Sequence, residues 1–193
     1  MNNLLGVVVS IILFGFFILI VLALNQNIIK ATYNSTFEKG SQQSIIELVD
    51  LLNFDFSKIG HQKLPPKLKP GSLDSTDIVW YSDIDNNGSL DSVTYTLGDI
   101  KESQLPNPEI RHLYRKINNN NPLQIGLGIV QFKLTYFDSS MTQINYSQLN
   151  NTAGVNRIRS IKVQVRVESQ YKFEDDYSSS YWEKTYTPRS LRL

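Results

Sequence analysis

The chain has 193 residues, with 19 lysines and arginines against 18 aspartates and glutamates, so its formal net charge at pH 7 is +1. A charge this balanced provides no field that attracts nucleic acid or a strongly acidic substrate, and we predict no nucleic-acid partner. The chain contains no cysteine, which excludes disulfides, thiolate catalysis and cysteine-ligated zinc.

The chain begins with an almost unbroken apolar run, residues 4–24, which has no charged side chain. About 20 such residues in a helix span the roughly 30 Å hydrocarbon layer of a bilayer, so we predict a transmembrane segment within residues 1–26. A secretory signal peptide is the alternative interpretation. The first three residues carry no basic side chain, the run exceeds the usual length of about 7 to 15 residues, and no small-x-small cleavage site follows Leu24; these features favour a retained anchor.

A helical pattern continues through residues 27–60, which we interpret as an amphipathic continuation of the same helix. Apolar side chains recur there mostly at steps of three and four residues: Phe37, Ile45, Leu48, Leu52, Phe56 and Ile59. No proline occurs before Gln62, so we predict one helix from about residue 4 to about residue 58, roughly 80 Å long, that stops at Gly60.

The next segment, residues 61–77, contains prolines and is predicted to be a linker. Its lysines are Lys63, Lys67 and Lys69. We interpret them as solvated; contact with anionic lipid headgroups is the alternative, and it would require this segment to lie near the membrane surface.

The rest of residues 61–193 has the alternating pattern of β-strands. Residues 78–81 and 92–97 flank an Asp/Asn/Gly-rich loop and predict a hairpin. Further strands are predicted within residues 110–117, 130–136, 161–167 and 181–186, and a long loop over residues 138–154. We therefore expect an α+β fold in which the amphipathic half of the helix packs on one antiparallel sheet of about five strands, forming a β-rich domain.

The hairpin loop carries the most specific local pattern, with candidate calcium ligands at Asp83, Asp85, Asn87 and Asp91. Oxygen ligands at alternate positions with glycine sixth match the first half of an EF-hand-type loop. The twelfth position holds Thr94 in place of the bidentate glutamate. An Asp/Asn/Gly-rich turn explains the same residues through side-chain to backbone hydrogen bonds. Both interpretations stay open; bound calcium would form a weak structural site, and no other cofactor is predicted.

No pattern in the chain predicts catalysis. His61 and His112 are far apart in sequence, and the common nucleophile, metalloprotease and dinucleotide-binding motifs do not occur. We therefore predict that the protein is not an enzyme; a membrane-tethered hydrolase would need a cluster around one of these histidines. The aromatic residues fall mostly in predicted strands, and we expect at least half of them to pack in the core. These are Trp80, Tyr81, Tyr95, Tyr136, Tyr171, Tyr181, Trp182 and Tyr186.

An apolar helix that continues into an amphipathic one, followed by an antiparallel sheet, resembles the type IV pilin and type II secretion pseudopilin superfamily. The local phrases look most like its larger minor pilins and minor pseudopilins. They are LNFDFSKIG at 52–60, WYSD at 80–83 with VTY at 93–95, HLYRK at 112–116, FKLTYFD at 132–138 and TPRSL at 187–191.

The N-terminus differs from the usual pattern of that superfamily. Members begin with a short basic leader that ends in glycine and is cut by a prepilin peptidase before a Phe-Thr-Leu-Ile-Glu type sequence. Here Gly6 stands in the place of that glycine, residues 1–6 contain no lysine or arginine, and Ile11 occupies the position of the glutamate. Some tip-type members also lack the glutamate.

The resemblance implies an assembly function for a bacterial protein. It predicts a single-pass inner (cytoplasmic) membrane protein with an extracytoplasmic C-terminal domain, although Lys30 and Lys39 both follow the apolar run, so charge alone leaves the orientation open. The expected partners are the lipid bilayer, other pilin-like subunits of a hetero-oligomeric filament, and the assembly platform. The alternative is a stably anchored protein whose extracytoplasmic domain binds a ligand or protein without forming a filament.

Overall fold

A computed structural model describes residues 2–61, 67–99, 105–172 and 175–192, apart from the side chains at 2, 3, 34 and 37. The long helix is α1 (Asn2–Ser57), and a first group of strands follows: β1 (Leu68–Leu73), β2 (Asp77–Ser82), β3 (Asp91–Leu97), β4 (Leu113–Ile117) and β5 (Leu123–Ile125). The remaining elements are β6 (Ile129–Phe137), a 3₁₀ helix (Tyr146–Asn150), α2 (Thr152–Val155), β7 (Ser160–Glu168), β8 (Ser179–Tyr186) and α3 (Arg189–Arg192).

Helix α1 is continuous over 56 residues, as the proline-free sequence predicts. Its first part is long and apolar enough to cross a membrane, and none of this apolar part is buried inside the protein. Further along, the predicted stripe is buried from Ile45 to Ile59; the side chain of Phe37 lies outside the described residues. The helix ends at Ser57, and Gly60 then adopts φ +69°, a left-handed conformation that glycine accepts without strain.

The strands form two antiparallel sheets, which corrects the expectation of one sheet of about five strands. Sheet A has five strands in the order β1-β2-β3-β4-β5, and sheet B has three in the order β6-β7-β8. The chain passes between the sheets at Gly128, whose carbonyl accepts from Glu168 N at 2.7 Å. A Cβ on Gly128 would stand 2.2 Å from the Glu168 carbonyl oxygen, so only glycine allows this approach.

Three other predictions need correction. The linker contains β1, which begins one residue after Lys67; Lys63 lies outside the described residues. The strand predicted within 110–117 begins only at Leu113. The loop predicted over 138–154 contains the 3₁₀ helix and part of α2. The side chain of Asn145 caps the N-terminus of the 3₁₀ helix, and the side chain of Asn151 caps the N-terminus of α2.

The predicted hairpin and the two C-terminal strands are confirmed. β2 and β3 pair with Ile78 opposite Tyr95, and buried and partly exposed residues alternate along both strands. In β7, Ile161, Val163 and Val167 are among the buried alternate residues.

Phe56 joins α1 to both sheets. Its ring centroid lies 5.2 Å from that of Trp80 and 5.6 Å from that of Tyr95, both in sheet A. The same ring lies 5.2 Å from that of Tyr186 in sheet B. Tilted and edge-on geometries at these distances are the favourable ones for aromatic pairs, so the C-terminal part of α1 is the shared centre of the core.

Candidate functional site

The acidic loop, residues 83–91, connects β2 to β3 and lies against the end of α1. Lys58 Nζ donates to the Ile84 carbonyl at 2.6 Å, and Ser82 Oγ donates to the Lys58 carbonyl at 2.7 Å. Gly60 N also donates to the Tyr81 carbonyl at 3.1 Å. The end of the helix therefore fixes where the loop starts.

The structure brings together the three carboxylates among the four candidate calcium ligands. Oxygens of Asp83, Asp85 and Asp91 lie within 4.8 Å of one another. Asp83 and Asp91 are buried, at 1 % and 7 % exposure, whereas Asp85 is exposed. Three carboxylates this close repel one another unless protons, donors or a cation compensate their charge.

Backbone donors supply part of that compensation. Asp83 accepts from Asn87 N at 3.0 Å and from Gly88 N at 2.9 Å, and Asp91 accepts from Ile84 N at 3.2 Å. The side chain of the fourth candidate, Asn87, accepts from Ser89 N at 2.7 Å and donates to Asp85 at 2.8 Å.

These bonds are what the turn interpretation predicts. Asn86 and Gly88 have φ of 59° and 82°, the left-handed conformation typical of such turns.

The calcium interpretation draws its support from the position of Asp91. Asp91 is the first residue of β3, and its carboxylate lies close to that of Asp83 at the start of the loop. Thr94, at the twelfth position, is paired with Val79 in the ladder. A carboxylate at the ninth position therefore offers the second-half ligand that the twelfth position lacks. Calcium binding stays a prediction.

A second polar cluster, which no motif in the sequence predicts, joins α1 to sheet A. Arg115 donates to Asp55 through Nε at 2.6 Å and through Nη2 at 2.9 Å. Tyr95 OH donates to the same carboxylate at 2.6 Å. Asp55 is fully buried, and the side chain of Arg115 is 15 % exposed. This bidentate geometry compensates the buried carboxylate at the helix–sheet contact.

The cluster shifts the protonation of its members. Burial, with the negative charge of Asp55 beside the phenol, raises the pKa of Tyr95 above its ordinary value of 10.0. The hydrogen bond to Asp55 raises the pKa of Arg115, against the opposing effect of burial. Tyr95 therefore stays neutral and Arg115 stays charged across the physiological pH range, and the cluster has the properties of a structural joint.

The aromatic side chains divide between core and surface. Trp80, Tyr95, Tyr136 and Tyr186 are buried, which is half of the eight residues considered in the sequence. Tyr171 and Tyr181 are exposed at 56 % and 54 %.

The two histidines occupy different parts of the fold. His61 follows α1, and its carbonyl accepts from Asp83 N at 3.3 Å. The ring of His112, just before β4, lies 6.2 Å from that of Tyr114.

Comparisons of the chain with family models, with curated proteins and with solved structures give no match. Its function is therefore inferred from its own sequence and geometry.

Proposed function

We propose that the protein is a membrane-anchored, pilin-like subunit, a minor pilin or pseudopilin, of a type IV pilus or type II secretion-like filament, and that it acts by assembly. The observation that carries this proposal is the continuity of α1. One 56-residue helix has an apolar part that is not buried inside the described protein and an amphipathic part that lies in the core of the β-rich domain.

The apolar part of α1 is exposed on every face. Among its side chains, Leu4, Phe14 and Leu19 are exposed at 77 %, 63 % and 62 %. Such a surface is stable only in lipid or against other apolar helices. The bilayer would hold the subunit before assembly, and equivalent helices of neighbouring subunits would surround α1 afterwards.

The joint between α1 and the sheets fits a subunit that moves as one body. The Asp55–Arg115 ion pair and the Phe56 ring contacts tie the helix to sheet A, and Tyr186 extends the contact to sheet B. A displacement of the helix would therefore carry the domain with it. A minor or initiating position fits best, because the domain is large and Ile11 stands where most subunits have glutamate.

In this proposal the C-terminal domain lies outside the inner membrane of a bacterium. Its partners are the lipid bilayer, other pilin-like subunits and the assembly platform that moves them.

N-terminal processing tests whether the chain enters this pathway. The full chain is expressed in membranes with and without a prepilin peptidase, and its intact mass is measured. We expect a loss equal to residues 1–6 only with the peptidase, and no loss in a Gly6→Leu variant. An intact Met1 under all conditions would favour a stably anchored binding protein.

Crosslinking tests assembly independently of cleavage. Because the chain has no cysteine, Leu13→Cys introduces a single thiol in the apolar run. We expect disulfide or bismaleimide crosslinks to co-expressed pilin-like subunits carrying a matching cysteine. Met141→Cys, which is 62 % exposed on the β-rich domain, is the control for random collisions. Equal crosslinking of the two variants, or none at Leu13→Cys, would contradict a filament contact along α1.

A further inference from the structure

β8 forms the outer edge of sheet B, and this edge is open. In an antiparallel ladder the N–H and C=O groups of alternate residues point to the neighbouring strand, and those of the residues between them point away. Ser169 N donates to the Ser178 carbonyl at 2.9 Å, and the ladder continues from there without a register shift. The backbone groups of Tyr181, Glu183 and Thr185 therefore point away from β7, and they have no hydrogen-bond partner in the described part of the chain.

The other sheet edges carry features that protect an edge from pairing with another chain. β1 contains Pro70 and Gly71, pairs irregularly with β2 and packs against the 3₁₀ helix. β5 has only three residues. β6 has a register shift, and its Leu134 N donates to the Ser75 carbonyl at 2.8 Å. β8 has eight residues with no proline and no irregularity, so it is the one long, regular edge left open among the described residues.

The two charged side chains of β8 are held on the faces of the sheet. Glu183 accepts from Lys162 Nζ at 3.0 Å. Lys184 Nζ donates to Asn53 Oδ1 at 2.7 Å, on the side of α1. Because both side chains are engaged on the faces, they leave the backbone groups along the edge accessible to another strand.

The direction of β8 decides between a second copy and a different chain. The hydroxyls of Ser180, near the start of β8, and Ser41 lie 3.3 Å apart, and Lys184, further along β8, binds Asn53. β8 and α1 therefore run in the same direction. Two identical edges that form a regular ladder across a two-fold axis are antiparallel, so their α1 helices would point in opposite directions. Copies anchored in the same bilayer cannot pair in this way, which favours a strand from a different polypeptide.

The side chains beside the edge indicate what the added strand carries. Lys184 forms no ion pair in the described part of the chain, so an acidic side chain opposite it would complement its charge. On the other face of β8, the side chain of Tyr181 is 54 % exposed, and a β-branched side chain opposite it would cover the ring. Glu183 already has Lys162 as a partner, so the residue opposite Glu183 needs no charge.

We propose that β8 binds an extended segment of another polypeptide as an added antiparallel strand, with an acidic residue opposite Lys184 and a β-branched residue opposite Tyr181. The backbone groups of Tyr181, Glu183 and Thr185 provide the hydrogen bonds, and the two side-chain pairs provide the selectivity. This binding is independent of filament assembly, because a stably anchored protein would present the same edge.

The test uses the full chain in nanodiscs, with its backbone amides observed by NMR. The probe is the peptide acetyl-Thr-Glu-Thr-Val-Val-Thr-amide, whose glutamate faces Lys184 and whose second valine faces Tyr181 in the proposed register. We expect the peptide to shift the amide resonances of Tyr181, Glu183 and Thr185 saturably and to slow their exchange with deuterated water.

N-methylated peptides separate strand addition from other kinds of binding. A methyl group on the nitrogen of the second threonine removes a donor that points at Glu183, and it is expected to weaken binding about tenfold. A methyl group on the nitrogen of the first valine points away from β8, and this matched control should bind as the unmodified peptide does. Equal binding of the two methylated peptides, or no saturable shift with the unmodified one, would overturn the proposal.

Variants of the chain test the edge itself. Replacing the peptide glutamate with lysine is expected to weaken binding about threefold, and Lys184→Glu should restore binding of that lysine peptide. Thr185→Pro removes an outward N–H at a position where an edge strand tolerates proline, and it should weaken binding of the original peptide. Thr185→Val keeps the N–H and is the matched control.

Two further results would contradict the proposal. Equal binding of the glutamate and lysine peptides to the original chain would exclude the charge pair at Lys184. Slow exchange of the Tyr181, Glu183 and Thr185 amides without peptide, together with a dimer in sedimentation, would identify a second copy of the chain as the occupant of the edge.

Discussion

Asp55 is a carboxylate on the buried side of α1, where it accepts hydrogen bonds from Arg115 and from the hydroxyl of Tyr95. It lies three residues after Leu52 and next to Phe56, both of which belong to the apolar stripe. Arg115 lies two residues after the buried Leu113, on the same face of β4. Each charge taken alone reads as an interruption of an apolar pattern. Periodicity does not tell which distant residue compensates which, so their pairing became apparent only in the fold.

Breaking this pair tests its contribution to stability. Asp55→Ala is expected to lower the free energy of unfolding by about 3 kcal/mol, because Arg115 is left largely buried without its counter-charge. The double variant Asp55→Leu/Arg115→Met is expected to be more stable than Asp55→Ala, since no unpaired charge remains.

The measurement is urea unfolding of the full chain in detergent micelles, followed by tryptophan fluorescence. Lys162→Gln, which breaks the solvent-exposed Lys162–Glu183 pair, is the control and should change stability little. A double variant less stable than the single one would show that the ion pair itself stabilises the joint.

Two buried tyrosines are expected to make the free energy of unfolding fall at alkaline pH. Burial raises the pKa of Tyr95 and of Tyr136 above the ordinary value of 10.0. Above about pH 10 the unfolded chain releases these protons and the folded protein keeps them, so stability is complete below pH 10 and falls as pH rises further. Each residue is expected to contribute a slope of up to about 1.4 kcal/mol per pH unit.

Tyr136→Phe isolates one of these contributions. It removes a hydroxyl that donates to the Asp77 carbonyl at 3.3 Å. The slope of the free energy of unfolding against pH above about pH 10 should therefore decrease by the contribution of one ionising group. Urea midpoints between pH 8 and pH 11 provide the measurement. Identical slopes for the two proteins would show that Tyr136 ionises normally in the fold.

At the scale of elements, thermal unfolding tests whether the acidic loop between β2 and β3 binds calcium. If it binds calcium, millimolar calcium chloride raises the thermal unfolding midpoint of the full chain over that in EDTA, because the cation neutralises three converging carboxylates. Asp85→Asn is then expected to abolish this rise while keeping the midpoint in EDTA, since Asp85 is exposed and asparagine retains the acceptor for Asn87 N.

The control for this experiment is Asp50→Asn, an exposed acid on α1 away from the loop, which should respond to calcium as the original chain does. An unchanged midpoint in calcium for the original chain would leave the hydrogen-bonded turn as the whole explanation of the loop.

Elements with a regular pattern were predictable, and irregular ones were not. The α1 helix, the β2–β3 hairpin, β7 and β8 follow from periodicity and from turn residues. β1 did not, because it contains Pro70 and Gly71 and pairs with β2 through an irregular register. That is characteristic of an edge strand, where proline is tolerated. β5 has only three residues, too few to show a period.

The division into two sheets was also beyond the sequence pattern. Alternation assigns a residue to a face of its strand, but it does not say which strand is the neighbour. The chain enters sheet B through the close approach of Gly128 to Glu168, a backbone contact that no periodicity reveals. The convergence of Asp83, Asp85 and Asp91 was predictable because all three lie in one short loop.

For the whole molecule, the straightness of α1 can be measured. In nanodiscs, spin labels on a Gln26→Cys/Ser57→Cys variant are 31 residues apart, which in a continuous helix gives about 47 Å between Cα atoms. We expect a single narrow distance distribution near that value, because the intervening sequence has no proline.

A Gln43→Cys/Ser57→Cys variant, spanning only the part of α1 that packs on the sheets, gives the reference width, with a separation of about 21 Å. A much broader distribution for the longer pair would place a hinge between the apolar run and the domain, and the subunit would then not move as one body.

The length of α1 also sets how far the β-rich domain stands from the apolar run. From Leu24 to Ser57 the helix rises about 50 Å, and the acidic loop lies beside its far end. With the apolar run in a bilayer, this loop stands well above the lipid headgroups. A protein confined to the membrane surface would not reach it, whereas a partner with a stalk of similar length, or one free in the surrounding compartment, would meet it first.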